Sequence, residues 1–178
     1  MKIIALFRGI NVGGRNILPM KGLVEILEGL GYKNIQTYIQ SGNVVFDSEL
    51  FITANKTALI QNIIEKQYGF KPQVLYLDSE DLNQAIKNNP FPTEIGKILH
   101  FSFLEKTSEA VDFKQLNELK TTTEEYKLQG KVFYLFAPDG IGRSKLAAKV
   151  EKNLGVNATA RNWNTIAKLN HLIEVNEV

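Results

Sequence analysis

Short apolar runs alternate along the first half of the chain with apolar residues at helical intervals. Residues 3–8 form an apolar run of strand length that ends at a charge. Leu23, Ile26, Leu27 and Leu30 then recur at spacings of three and four residues, which is typical of one buried face of a helix. This pattern predicts strands at 3–8, 35–40, 44–47 and 74–77, and helices at about 19–30, 53–68 and 79–88.

The second half repeats this order of elements. Two strand-like runs flank Gln129-Gly130-Lys131, which predicts a hairpin. Predicted strands cover 98–104, 125–128, 132–136 and 157–160, and predicted helices cover 113–119, 144–154 and roughly 165–174. Each half therefore has the order βαββαβ followed by one helix.

The repeated order defines the expected fold. The predicted class is α+β, with two tandem ferredoxin-like βαββαβ units, each followed by a helix, and with antiparallel or mixed sheets. The stretch Asn89-Pro90-Phe91-Pro92 interrupts the pattern where a linker is expected. We expect one domain at 1–89 and a second at 93–178, related by an internal duplication.

Composition excludes several classes of function. The chain has no cysteine, which rules out disulfides, thiol nucleophiles and thiolate metal sites and favours a cytoplasmic location. His100 and His171 lack metal-binding spacing, so we expect neither a metal nor a cofactor. The N-terminal apolar run is too short for a signal peptide or a membrane span, and we expect no membrane association.

Arginine is rare, and its positions are informative. The 21 basic residues comprise 17 lysines and 4 arginines, and residues 1–24 and 152–173 contain no acidic residue. Arg8, Arg15, Arg143 and Arg161 fall in predicted loops rich in Asn, Ser and Gly. A guanidinium can grip carboxylate or phosphate in a bidentate way, which predicts an anion site. The alternative is that each arginine pairs with a nearby acid as part of the scaffold.

The segment 8–16 is the first candidate for that site. It follows a strand and precedes a helix, where backbone amides and the helix dipole can hold an anion. Neither a dinucleotide fingerprint nor a Walker motif is present. The alternative is a crossover loop that needs glycine for its turns. The predicted hairpin turn at 40–43 offers further polar groups, and the candidate ligand-binding residues here are Arg8, Asn11, Arg15, Asn16, Gln40, Ser41 and Asn43.

Two segments of the second half are also candidates, and both are predicted to lie between a strand and a helix. In 139–146 the candidates are Arg143, Ser144 and Lys145, because cations at a helix N-terminus indicate a bound anion; the alternative is that Ser144 is an ordinary N-cap. In 160–165, Trp163 could stack on a base while neighbouring amides read its edge. The alternative is a core anchor. The candidates there are Arg161, Asn162, Trp163 and Asn164.

The same strings carry a family resemblance. Residues 8–16, 38–46 and 160–165 closely resemble the bacterial family known as domain of unknown function 1697. The stretch 140–146 also resembles that family's pattern, with Asp139 where Asn is common. The resemblance implies a stand-alone cytoplasmic α+β protein with duplicated ferredoxin-like halves, and it implies no activity.

Three functions are compatible with these features. The first is binding of a phosphate-bearing small molecule or RNA in an Arg/Asn/Gly-rich cleft. The second is an enzyme that acts on a phosphorylated or nucleotide substrate, in which the arginines would stabilise phosphate charge. The candidate loops contain no histidine and a single acid, Asp139, so we favour binding over catalysis. The third is a protein–protein interaction module.

Overall fold

The chain forms two compact units, each built around one sheet. The computed structural model describes residues 1–175. Unit 1 comprises Met1–Asn83 and the segment from Lys168 onward, and unit 2 comprises Gln84–Ala167. The predicted linker at 90–92 therefore lies inside unit 2, and the last three positions of the predicted domain 93–178 lie outside the described residues.

Unit 1 begins with strand β1 and contains most of the first half's elements. Its strands are β1 (Lys2–Arg8), β2 (Lys33–Tyr38), β3 (Asn43–Asp47) and β4 (Gln73–Asp78), and its helices are α1 (Met20–Gly29) and α2 (Ala54–Tyr68), followed by α3 (Ser79–Lys87), which ends in unit 2. The sheet has the order β2-β3-β1-β4, and every neighbouring pair is antiparallel.

Alternating residues of β1 place a hydrophobic core under the two long helices. Ile3 and Phe7 pack in one cluster with Leu23 of α1 and Ile60 of α2. Every residue of β1 from Ile3 to Phe7 is buried, so this central strand is covered on both faces of the sheet.

Unit 2 has the same order of elements. Its strands are β5 (Leu99–Leu104), β6 (Glu125–Gln129), β7 (Val132–Phe136) and β8 (Ala158–Asn162), and its helices are α4 (Phe113–Leu119) and α5 (Lys145–Leu154), followed by α6 (Trp163–Glu174), which ends in unit 1. The sheet order is β6-β7-β5-β8, again fully antiparallel. Leu104 and Leu135 pack with Leu116 of α4 and Val150 of α5, and all six residues of β5 are buried.

The predicted α+β class is confirmed, with two four-stranded antiparallel sheets and six α-helices among the described residues. The sheets contain no parallel pair, because each helical crossover spans an intervening strand. In the described part of the chain, no helix is long and apolar enough to cross a membrane.

The backbone at Gly42 lies close to core side chains, and this contact allows the packing to be tested. Gly42 has φ +75°, and a Cβ placed on it would lie 2.6 Å from Phe7 Cβ and 2.7 Å from Ile10 Cδ1. We expect Gly42→Ala to lower the free energy of unfolding by about 2–4 kcal/mol, because left-handed strain and overpacking add. Denaturant titration measures this loss.

Gly13→Ala is the matched control. Gly13 also has positive φ, +58°, but a Cβ on it would meet nothing within 4 Å. Backbone strain alone should cost about 1–2 kcal/mol there. Equal losses for the two variants would contradict the close packing at Gly42.

Candidate functional site

The first candidate residues meet at one end of the sheet in unit 1. Strands β1 and β3 are antiparallel with Leu6 opposite Asn43, so the end of β1 lies beside the β2–β3 turn. The Phe7 amide donates to the Gly42 carbonyl at 2.8 Å. The topology therefore brings together Arg8, Asn11, Arg15, Asn16, Gln40, Ser41 and Asn43.

The glycine-rich loop is itself a small hairpin. Val12 and Arg15 form an isolated bridge, and the Arg15 amide donates to the Val12 carbonyl at 3.0 Å. Gly13 and Gly14 between them have φ +58° and +73°, as a two-residue turn of this hand requires. Both glycines thus have a structural role, and the Arg15 side chain is exposed beside the turn.

The asparagines of unit 1 stabilise these loops. Asn11 Nδ2 donates to the carbonyls of Leu18 at 2.9 Å and Gln40 at 2.8 Å, and its Oδ1 accepts from the Leu18 amide at 2.8 Å. Asn16 Nδ2 donates to the Gly9 carbonyl at 2.8 Å. The amide of buried Asn43 donates within its own turn, to Ser41 Oγ at 2.8 Å. A role of these amides in ligand binding remains a prediction.

The β2–β3 turn contains a strained residue that the sequence does not indicate. Gly42 has a positive φ, which a glycine readily adopts, and Asn43 is already the first residue of β3. The other left-handed residue of the turn is Ile39, with φ 52°. A β-branched residue in this region is an outlier that costs about 1–3 kcal/mol. Ile39 is also 53% exposed, so it gains little from burial. The surrounding hydrogen bonds of Asn11 and Asn43 hold this turn in place.

The remaining candidate residues meet at one end of the sheet in unit 2. Leu99 lies opposite Phe136 and His100 lies opposite Asn162, so the ends of β7 and β8 flank the start of β5. Both helices that follow, α5 and α6, begin at this same end. The topology therefore brings together Arg143, Ser144, Lys145, Arg161, Asn162, Trp163 and Asn164.

The segment after β7 ends in a helix N-cap. Residues Ile141–Arg143 form one turn of 3₁₀ helix, and Ser144 Oγ then accepts a hydrogen bond from the Ala147 amide at 2.9 Å. Ser144 is thus the N-cap of α5. Arg143 and Lys145 are exposed, and within the described residues neither side chain takes part in an ion pair or hydrogen bond. The first turn of α5 contains no acidic residue.

The predicted loop at 160–165 is wrong. Strand β8 continues to Asn162 and α6 begins directly at Trp163. The strand can run straight into the helix because Asn162 Oδ1 accepts from the Thr165 amide at 3.0 Å and from its hydroxyl at 3.1 Å, which caps the first turn.

Trp163 is half-buried rather than fully exposed to solvent. Its ring lies 5.8 Å from that of Phe101, and its amide donates to the Gly96 carbonyl at 3.1 Å. Asn164 is exposed and lies over Gly96, where an added Cβ would overlap Asn164 Oδ1. The Trp163 ring therefore packs beside the Phe101 ring, and its stacking on a base remains a prediction.

The faces of the sheet separate the polar groups of β5 and β8. Because side chains alternate along strands, His100 and Asn162 lie on the face of Leu104, under α4 and α5, whereas Arg161 lies on the opposite face with Phe101. Arg161 is half-buried, and its guanidinium donates to the Ala160 carbonyl at 2.8 Å.

His100 is a polar residue at this end that sequence reasoning treated as ordinary. It is 8% exposed, and in the described part of the chain no hydrogen bond of standard geometry reaches its Nδ1 atom. Burial lowers the pKa of His100 below its usual value, and the Ile98 backbone partly offsets this effect. The sequence signal was weak: a lone histidine beginning an apolar strand.

The lowered pKa of His100 predicts how stability depends on pH. The unfolded chain binds a proton at about pH 6.5 that the folded chain excludes, so the free energy of unfolding should fall as the pH drops below that value. His100→Gln removes this contribution, and the difference between wild type and variant should change by up to about 1.4 kcal/mol per pH unit in that window. Denaturant titrations from pH 7.5 to 5 measure it, and parallel curves would contradict the burial of a neutral histidine.

Within the described residues, no group of three or more histidine or acidic side chains is arranged to hold a metal ion.

Comparison with known proteins supports the resemblance. The model of the family described as "Protein of unknown function (DUF1697)" matches residues 1–134. The structure of conserved bacterial protein SP0830 from Streptococcus pneumoniae is similar, with a TM-score of 0.68 and 24% identity over 97% of this chain and 98% of that chain. A likeness at this identity shows a shared fold alone. Comparison with curated proteins finds no match. Because the family model covers most of the length, the chain belongs to the family of proteins of unknown function DUF1697.

Proposed function

We propose that this protein binds a phosphate-bearing small molecule, of which a nucleotide is the best candidate, at the end of the sheet in unit 2. One observation carries the proposal. Helices α5 and α6 both begin at that end, and neither has an acidic residue in its first turn. Arg143 and Lys145 lie at the start of α5, and Arg161 lies in β8, two residues before α6.

The electrostatics of this end favour an anion. The N-terminus of a helix carries partial positive charge, and a cation there costs about 0.3–1 kcal/mol. Arg143 and Lys145 therefore occupy a position that is unfavourable until an anion binds. Guanidinium groups grip phosphate oxygens in pairs, and the free amides of a helix's first turn add further donors.

Two of the acids at the same end have hydrogen-bond partners. Asp139 Oδ2 accepts from Thr123 Oγ1 at 2.6 Å, and Glu124 Oε2 accepts from the Thr121 amide at 3.0 Å. Glu124 precedes β6, which lies at the opposite edge of the sheet from β8. Arg161 in β8 is thus separated from Glu124 by two strands, whereas Asp139 lies in the same connection as Arg143.

A small ligand fits the fold better than an RNA strand. Proteins that read RNA on a four-stranded sheet present aromatic side chains on an open sheet face. Here every residue of β5 is buried, and the same holds for Ile3–Phe7 of β1. The net charge of +2 is also small for a polymer of phosphates.

The shared order of elements and strands supports the finer fold assignment. Both units are compatible with one ferredoxin-like βαββαβ unit that has been duplicated within the chain. The absence of cysteine is consistent with a cytoplasmic location.

Calorimetric titration with ATP, with inorganic phosphate and with a short single-stranded RNA tests the proposal. We expect Arg143→Ala to weaken ATP binding tenfold or more, because a hydrogen bond to a charged group contributes about 1.5–3 kcal/mol. Arg143→Lys should recover only part of the loss, because an ammonium cannot make the bidentate contact. At about 100 times its dissociation constant, ATP should also stabilise the wild type by roughly 2.7 kcal/mol.

Arg15→Ala is the matched control, since Arg15 is an exposed arginine of unit 1. It should leave ATP binding unchanged. A loss of ATP affinity in Arg15→Ala but not in Arg143→Ala would show that the site is in unit 1. Tighter binding of the RNA than of ATP would show that the ligand is a nucleic-acid strand. If none of the anions produced a heat of binding, the proposal would be refuted.

A further inference from the structure

A cavity lies at the end of the unit 1 sheet opposite the Arg8–Asn16 hairpin. It is bounded by the start of β1, the end of α1 with Gly31, the start of β2, and the loop 48–53 that leads from β3 into α2. Its volume is about 870 Å³. This is within the range of roughly 300–1,000 Å³ that small-molecule sites occupy.

The walls of the cavity combine apolar and polar side chains. Leu30, Tyr32 and Ile52 line it, together with Leu50 and Phe51 of the loop. Leu50 is 76% exposed and Phe51 is 45% exposed. Two consecutive large apolar side chains exposed beside a cavity are unusual for a loop, and such groups mark binding surfaces.

The charges of the lining leave two positive charges in excess. Lys2 Nζ pairs with Asp47 Oδ1 at 2.7 Å, and Asn34 Nδ2 donates to Asp47 Oδ2 at 2.6 Å, so the Asp47 carboxylate already has partners. The lining also contains the Met1 ammonium, Lys33, Lys56 and Glu49. Three cations against one carboxylate favour an anionic ligand.

The N-terminus of α2 adds donors on the same wall. Thr53 Oγ1 caps the helix by accepting from the Lys56 amide at 3.3 Å, and the first turn of α2 contains no acidic residue. Thr53 and Lys56 both line the cavity. The partial positive charge of this 15-residue helix therefore adds to that of the Lys56 ammonium.

We propose that this cavity binds a small amphipathic carboxylate, with its apolar body against Tyr32 and Phe51 and its carboxylate at Lys56 and the N-terminus of α2. The surplus positive charge favours an anion and the exposed apolar side chains favour one with an apolar body, whereas the arginine-rich end of unit 2 suits phosphate. The site lies wholly within unit 1 and is independent of the proposed function.

Amide NMR of isotope-labelled protein tests this site directly. Naphthoate is the probe, and naphthamide is its neutral counterpart of nearly the same shape. We expect saturable shifts of the amides of Gly31, Ser48 and Thr53 with naphthoate, and much weaker binding of naphthamide. The amides of Gly140 and Gly142 in unit 2 should not move.

Two exposed lysines of α2 provide a matched pair of variants. Lys56→Gln should weaken naphthoate binding about two- to fivefold, as expected for one partly exposed charge pair. Lys66→Gln, on the same helix but outside the lining, should leave it unchanged. Leu50→Ser should weaken naphthoate and naphthamide alike.

Three results would overturn the proposal. The first is the absence of saturable shifts around Gly31 and Thr53. The second is equal affinity for naphthoate and naphthamide with no effect of Lys56→Gln, which would indicate apolar contact alone. The third is equal weakening by Lys56→Gln and Lys66→Gln, which would show a general charge effect.

Discussion

The antiparallel pairing of a buried central strand decides where the candidate site residues of each unit lie. Strand β1 pairs with β3 and β4, and β5 pairs with β7 and β8. Because both neighbours run against the central strand, they end where it begins. The two loops that leave them are therefore brought to one end of the sheet, and the loop that leaves the central strand goes to the other. Burial of β1 and β5 on both faces secures the register, since a slip of one residue would reverse all their side chains.

This constraint explains how much could be foreseen from the sequence. Apolar runs and helical spacing located every strand and α-helix of the described residues to within a few residues, because local burial pattern and secondary structure are directly linked. The alternation of elements was also enough for the α+β class. Hydrophobic periodicity does not show which group a polar side chain will form a hydrogen bond with. Asn11 bonds to Leu18 and to Gln40, and the second partner is 29 residues away in the chain.

The polar candidate residues show more clearly what the sequence alone cannot predict. Asn, Ser and Gly in loops suggest a ligand site, but they are equally the residues that cap helices and close turns. Ser144 and Asn162 cap α5 and α6, and Asn16 closes the small hairpin of unit 1. Nothing in the local sequence separates the two uses. Exposed cations are different, because Arg143 and Lys145 gain nothing from the helix ends at which they lie.

The same place in the order of elements carries different chemistry in the two units. The helix after the last strand is α3 in unit 1, whose first turn holds Glu80 and Asp81, and α6 in unit 2, whose first turn holds no acid. The loop from the third strand to its helix is 48–53 in unit 1 and lines a cavity with Leu50 and Phe51, whereas in unit 2 it carries Arg143. The anion preference proposed for the end of unit 2 therefore rests on its side chains and not on the fold. A fold that repeats its backbone order but not its charges can present two sites of different selectivity.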